Sequence, residues 1–384
     1  MKNSLIYFDH AATGYPKPGA VLKATMEAFG KYGGNPGRSG HRLSVAASKA
    51  IYECREQVCR LLSFDMPERV VFTPNATYAL NMAITGLVKK NSHILISNFE
   101  HNSVIRPVHA LSENLDKAIR YSMFDASGHE DEKVVSEFTK SIRPDTKLAV
   151  VTSSSNICGK ILPVKEISKV CKNHGIKLIV DAAQGCGEFD INMKSIGADV
   201  ICSAGHKALY GPTGTGFAVF GEDTEPESII FGGNGIFSKD PHMGGEMPER
   251  LEAGTLNTFG ICGLSEGIKF ILGLGIEEIH QRTYNLCSYI TDGLLELGCI
   301  VYGNYSNKTP IILFNVPGID CSEVSSYLDG CGICTRSGFH CAPGAHRALG
   351  TENIGGVRVS LGYSSTKAEA SRFLAEMSKF LKTV

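Results

Sequence analysis

Two textures alternate along the first 220 residues. Short, unbroken apolar runs bounded by turn residues mark strands buried on both faces, while apolar positions three and four apart mark helices. The pattern predicts a strand at 5–8, an amphipathic helix over 46–62, a short buried strand over 70–73 and a helix over 77–88. It continues with strands at 93–97 and 147–152, a helix over 164–174, the strand Leu178-Ile179-Val180-Asp181 and another over 198–203. Such alternation implies right-handed crossovers and an α/β fold whose mostly parallel sheet is flanked by helices on both faces. Ligands of these sheets bind beyond the carboxyl ends of the strands. Thr77, Asn156, Asp181 and Lys207 all fall at or just past such ends.

After residue 220 the texture changes. Gly232-Gly233-Asn234-Gly235 and Met243-Gly244-Gly245 lie in a glycine-rich stretch with few strand signals. A long helix is predicted over 264–297, broken near Gly273 to Gly275, and 310–384 reads as a smaller C-terminal α+β unit. The last helix carries a capping-box pattern, Thr366 and Glu369, and an apolar face including Phe373, Met377 and Phe380. The expected division is a large domain over 15–255 and a small one built from 1–14 and 256–384.

Composition narrows the class without choosing a chemistry. A chain of 384 residues exceeds one small core, and 43% hydrophobic with 20% charged residues is ordinary for a soluble globular protein. A formal net charge of −1 removes any electrostatic case for nucleic acid or an anionic membrane as partner. No apolar run reaches bilayer length and no basic leader precedes an apolar segment, so a cytoplasmic location is expected. Thirteen cysteines, odd in number and irregularly spaced, fit reduced thiols better than a disulfide scaffold. Cys331 and Cys334 form a C-x-x-C, but without a second pair at matching spacing a zinc site is not expected.

The chemistry enters with an acid and an amine. Asp181 ends a buried strand, and Lys207 follows the next one in Ser203-Ala204-Gly205-His206-Lys207. Pyridoxal phosphate needs a lysine for its Schiff base and a carboxylate that keeps its ring nitrogen protonated. A carboxylate buried at a strand end is costly unless a cation pairs with it, and a pyridinium N–H would be that cation. The plainer alternatives are a surface lysine and a helix N-cap. Thr77, in Thr73-Pro74-Asn75-Ala76-Thr77, opens a helix, where free amides form an anion site; a plain N-cap is the alternative. Gly211-Pro212-Thr213-Gly214-Thr215-Gly216 leads into a strand rather than a helix, so it reads as a turn and not a nucleotide loop.

Taken together, these residues resemble the class V aminotransferase group of fold-type I pyridoxal-phosphate enzymes. Within that group the chain is similar to the cysteine desulfurases of group II and their relative selenocysteine lyase. The resemblance runs from Tyr7-Phe8-Asp9-His10-Ala11-Ala12-Thr13 to Val357-Arg358-Val359-Ser360-Leu361-Gly362-Tyr363. Its most specific element is Arg336-Ser337-Gly338-Phe339-His340-Cys341-Ala342-Pro343, similar to the loop that carries the nucleophile.

The resemblance implies a role for each position. Lys207 is the attachment and proton-transfer amine, Cys341 the sulfur acceptor, and His101 a ring stacked on the cofactor. Ala76, Thr77 and His206 would hold the phosphate, and Asp181 the ring nitrogen. Gln184 and Asn156 would contact the ring hydroxyl, with Asn156 also reaching substrate. Arg358 would bind the substrate carboxylate through two parallel hydrogen bonds. Thr255 would reach the phosphate of a partner subunit, which implies a homodimer. Read alone, Gln184 could be a polar first-turn residue, His101 an exposed loop histidine and Arg358 an ordinary strand-end arginine. Ala204 replaces a serine usual in the group, and the neighbouring Ser203 would face the other way. Phe339 stands where group II enzymes often have histidine.

Cys341 separates the readings. A thiolate can take sulfur as a persulfide, and Arg336 and His340 nearby would favour the thiolate. The expected activity is conversion of L-cysteine to L-alanine, with a sulfur-acceptor protein as a possible partner. Turnover of L-selenocysteine is the second reading. A class V aminotransferase has no use for the thiol, and a non-catalytic sulfur-relay protein has no use for Lys207.

Overall fold

The computed structural model describes residues 5–37, 39–114, 116, 118–236 and 239–383. Strand β1 (Ile6–Tyr7) precedes helices α1 (Gly19–Lys31) and α2 (Arg42–Leu61). The alternation then runs β2 (Val70–Thr73), α3 (Ala76–Leu87), β3 (His93–Ser97), α4 (Asn102–Glu113), β4 (Arg120–Phe124) and α5 (Asp131–Lys140). It continues through β5 (Thr146–Thr152), α6 (Val164–Asn173), β6 (Lys177–Asp181), α7 (Met193–Ile196), β7 (Val200–Ala204) and β8 (Gly216–Phe220). Helices α8 (Thr258–Leu274) and α9 (Ile276–Glu296) lead to β9 (Ile300–Tyr302) and β10 (Ile311–Asn315). The chain closes with α10 (Cys321–Gly330), β11 (Ile333–Cys334), β12 (Arg336–Gly338), α11 (Pro343–Ala348), β13 (Gly356–Ser360) and α12 (Lys367–Phe380).

Seven strands form one sheet in the order β2-β8-β7-β6-β5-β3-β4. β4, β3, β5, β6 and β7 are parallel neighbours, and β8 is antiparallel to both β7 and β2. The runs are apolar throughout because both faces are covered. Ile94 and Ile96 join one core layer with α3 and α4, while Leu95 points into the other with α2, α6 and α8.

A second sheet, all antiparallel, has the order β12-β13-β10-β9, and β1 pairs with β11. Its own core includes Ile6, Phe8, Phe314, Phe373 and Met377. The expected boundary at 256 falls before α8, yet Ile261, Leu264, Ile268 and Ile271 of that helix pack into the large core. After Ile6 and Phe8, residues of the smaller core resume only within α9, at Leu286. The expected long helix is therefore two helices meeting at 79°, with Gly275 at φ +87° between them. Among the described residues no single helix is long and apolar enough to cross a membrane.

Candidate active site

The carboxyl ends of the sheet and the edge of the smaller one enclose a cavity of about 220 Å³. Its wall includes Ala76, Thr77, His101, Asn156, Asp181, Gln184, His206, Lys207 and Arg358. Nine expected positions thus converge from six separate stretches of chain. Cys341 and Thr255 are not part of that wall.

Asp181 is the last residue of β6 and sits directly across from Thr152 of β5. Its Oδ1 accepts from the Ala183 amide at 2.9 Å, and burial pushes its carboxyl up from the usual range. Lys207 follows β7 within a turn closed by the Gly211 amide, which donates to the Gly205 carbonyl at 2.8 Å. Burial pushes its amine down to about 8, with Asp181 opposing that shift and Arg358 and Arg336 adding to it. Each charge is stabilised by the other, and the pair leaves room for a third group.

At the start of α3 the cap is Asn75, whose side chain accepts from the Tyr78 amide at 3.1 Å. Thr77 therefore stands second in the helix, within its first turn, and is not its cap. Its hydroxyl lies 2.8 Å from Ser103 Oγ, which lies 2.9 Å from His101 Nδ1. The Ser103 amide also donates to that nitrogen at 3.0 Å, so the ring proton sits on Nε2. Burial, with Lys207 and Arg336 nearby, pushes His101 down to about 4, so the ring is neutral.

Arg358 in β13 is almost fully buried. It donates to the Asn156 carbonyl at 3.0 Å and to Asp9 Oδ1 at 2.8 Å, while its Nε has no partner. Asn156 in turn donates to the His340 carbonyl at 2.7 Å, and Gln184 to the Ala11 carbonyl at 2.9 Å. Ala204 lines the cavity, and Ser203 bonds the Ala182 carbonyl away from it, as its strand position requires.

The loop after β12 carries Cys341, which is exposed and follows His340 of the cavity wall. His340 and Cys341 have φ of +48° and +62°, a conformation disfavoured for side-chain-bearing residues. The Asn102 amide anchors the loop by donating to the Cys341 carbonyl at 2.8 Å. Arg336 Nη2 lies 3.8 Å from Cys341 Sγ. His340 does not serve the thiol as the sequence suggested. Its Nε2 faces the Arg336 carbonyl at 3.1 Å, its Nδ1 faces His346, and burial pushes it down to about 3.

Thr255 is exposed, accepts from Asn35 Nδ2 at 3.2 Å and lies outside the cavity of its own chain. Among the described residues no group of three His, Cys, Asp or Glu side chains could hold a metal ion. Sequence reasoning missed Asp9 as the partner of Arg358, although it lies in a motif that carried the resemblance. It also missed Arg336 as a cavity residue: β12 pairs with β13 so that Arg336 stands opposite Arg358.

A family model described as aminotransferase class-V matches residues 6–373. The chain belongs to that family. A relative from Methanothermobacter thermautotrophicus, named probable cysteine desulfurase, is 33% identical, spanning 95% of this chain and 92% of its own. One of the same name from Pyrococcus abyssi is also 33% identical, spanning 100% and 96%. Among solved structures, the apo cysteine desulfurase from Thermococcus onnurineus NA1 matches with a TM-score of 0.92 at 34% identity, covering 100% of this chain and 96% of the other.

Proposed function

We propose that this protein is a pyridoxal phosphate-dependent cysteine desulfurase that releases L-alanine from L-cysteine and receives the sulfur on Cys341. The observation that carries the reading is one thiol, exposed on a strained loop whose neighbouring residue His340 lines the same cavity as Lys207 and Asp181. The relatives named above agree with it.

The residues fit the cofactor by their donor set. The first-turn amides of α3, the Thr77 hydroxyl and His206 suit a phosphate. Asp181 needs a buried cation and Lys207 is an amine of lowered basicity, suiting a protonated ring nitrogen and an aldehyde. When bound, that group supplies an electron sink for the substrate Cα. Arg358, held by Asp9 and Asn156, has donors left for the substrate carboxylate. Lys207 Nζ would take the Cα proton, and His101, a neutral imidazole in the same wall, would help to hold the ring. The Cys341 thiolate attacks the substrate sulfur: the Cβ–S bond breaks, an S–S bond forms, and alanine leaves as Cys341 keeps a persulfide. A sulfur-acceptor protein then removes it. Thr255, exposed and outside its own cavity, would complete the phosphate site of a second copy in a homodimer.

The test is alanine released from L-cysteine and from L-selenocysteine by wild type and Cys341→Ser. Loss of alanine from cysteine is expected, with release from selenocysteine partly retained because its weaker carbon–selenium bond breaks without a thiolate. Wild-type turnover of cysteine by the variant would show that Cys341 is not the acceptor.

A further inference from the structure

Three residues of the N-terminal segment converge on one oxygen of the turn that carries Lys207. The His206 carbonyl oxygen accepts from the Gly14 amide at 2.9 Å and from the Lys17 amine at 2.7 Å. The Thr13 hydroxyl lies 3.0 Å from that oxygen and 3.2 Å from Nδ1 of the same residue's ring. This approach is close enough to require glycine at 14, where a Cβ would stand 2.4 Å from the Lys207 carbonyl oxygen.

Counting hydrogens decides between the two partners of Thr13. A carbonyl oxygen has two lone pairs, and a threonine hydroxyl has one hydrogen. Gly14 and Lys17 fill both lone pairs through the shorter bonds, which leaves the Thr13 hydrogen for His206 Nδ1. Burial pushes Lys17 down to about 8, but either protonation state has an N–H to donate. A neutral imidazole that accepts at Nδ1 carries its proton on Nε2. His206 is neutral, pushed down to about 4 by burial and by the charges of Lys207 and Lys17. Its ring lines the cavity, so Nε2 is the nitrogen left to face it.

We infer that Thr13 and Lys17 are positioning residues that fix the tautomer of His206, so that an Nε2–H donor is presented to the phosphate in the cavity. Lys17 acts at one remove: it occupies the carbonyl, and the hydroxyl turns to the ring. Without it, the Thr13 hydrogen returns to the carbonyl, Nδ1 takes the ring proton, and Nε2 offers the phosphate a lone pair instead. The inference rests on the reading of this cavity as a pyridoxal phosphate site.

The experiment compares dissociation constants of pyridoxal phosphate and of pyridoxal, which lacks the phosphate, on cofactor-stripped full-length protein. Thr13→Val and Lys17→Met are expected to weaken pyridoxal phosphate about 10- to 100-fold, the scale of one hydrogen bond to a charged group, and to leave pyridoxal unchanged. Thr13→Ser is expected to restore binding. Nitrogen-15 chemical shifts of His206 should report Nε2–H in the wild type and Nδ1–H in Lys17→Met. Equal weakening of both ligands, or an Nδ1–H tautomer in the wild type, overturns the inference. His206→Ala separates the two levels. If it leaves pyridoxal phosphate binding intact, the phosphate assignment itself fails. If it weakens binding while Thr13→Val and Lys17→Met do not, only the tautomer relay fails.

Discussion

Lys207 and Asp181 each pull the other back toward its charged form against the same burial, and this opposition defines what each can do. With its pKa near 8, the amine of the cofactor-free chain is half neutral at mildly alkaline pH. Capture of pyridoxal phosphate by Lys207, followed by stopped-flow absorbance, should therefore accelerate as pH rises through about 8. An acceleration confined to pH above 10 would mean an unperturbed lysine. Asp181→Asn keeps the shape but not the charge. It should still bind the cofactor while slowing exchange of the substrate α-proton by roughly 100-fold or more, several kcal/mol in the barrier; near-normal exchange would remove Asp181 from that role. Both residues were legible in the sequence because a buried strand end shows as an apolar run closing on a polar residue. Arg336 opposite Arg358 was not, since strand register is not encoded in local spacing. Nor was the Asp9–Arg358 pair, whose partners come from opposite ends of the chain.

Among the elements, the central strands were the most legible. Being covered on both faces, β3, β5 and β6 consist almost wholly of buried residues and stand out against their turns. Helix α1 carried no such mark: Leu22, Met26 and Phe29 are exposed while Val21 and Ala28 are buried, so its apolar positions do not trace one inward face. Edge strand β4 buries only Phe124. The break between α8 and α9 was legible from its glycines, and the start of α8 was not. Gly275→Ala tests the break. At φ +87° a Cβ is strained, so the variant should lose about 1–3 kcal/mol in denaturant unfolding. No loss would mean the joint relaxes freely into one continuous helix.

At the scale of the whole molecule, Glu100 and Glu188 are carboxyls buried without a cation among the described residues. Burial pushes Glu100 and Glu188 up to about 8, and one oxygen of each has no partner. In the folded chain both hold protons that the unfolded chain releases above its ordinary carboxyl range. Their contribution to stability is thus lost progressively as pH rises from about 4.5 toward 8. Glu188→Gln should be nearly neutral near pH 4.5 and stabilising by on the order of 4 kcal/mol at pH 8 in urea unfolding; a pH-independent effect would mean that burial does not raise the carboxyl. Lys207 follows a strand of the large sheet and Cys341 a strand of the smaller one, and the proposed sulfur transfer joins the two. The most direct measurement is mass spectrometry of all thirteen cysteine-containing sites after the loaded enzyme meets L-cysteine without reductant. One additional sulfur is expected on Cys341, absent when Lys207 is replaced by alanine. Sulfur carried on a different cysteine, with Cys341 unmodified during turnover, would contradict that transfer.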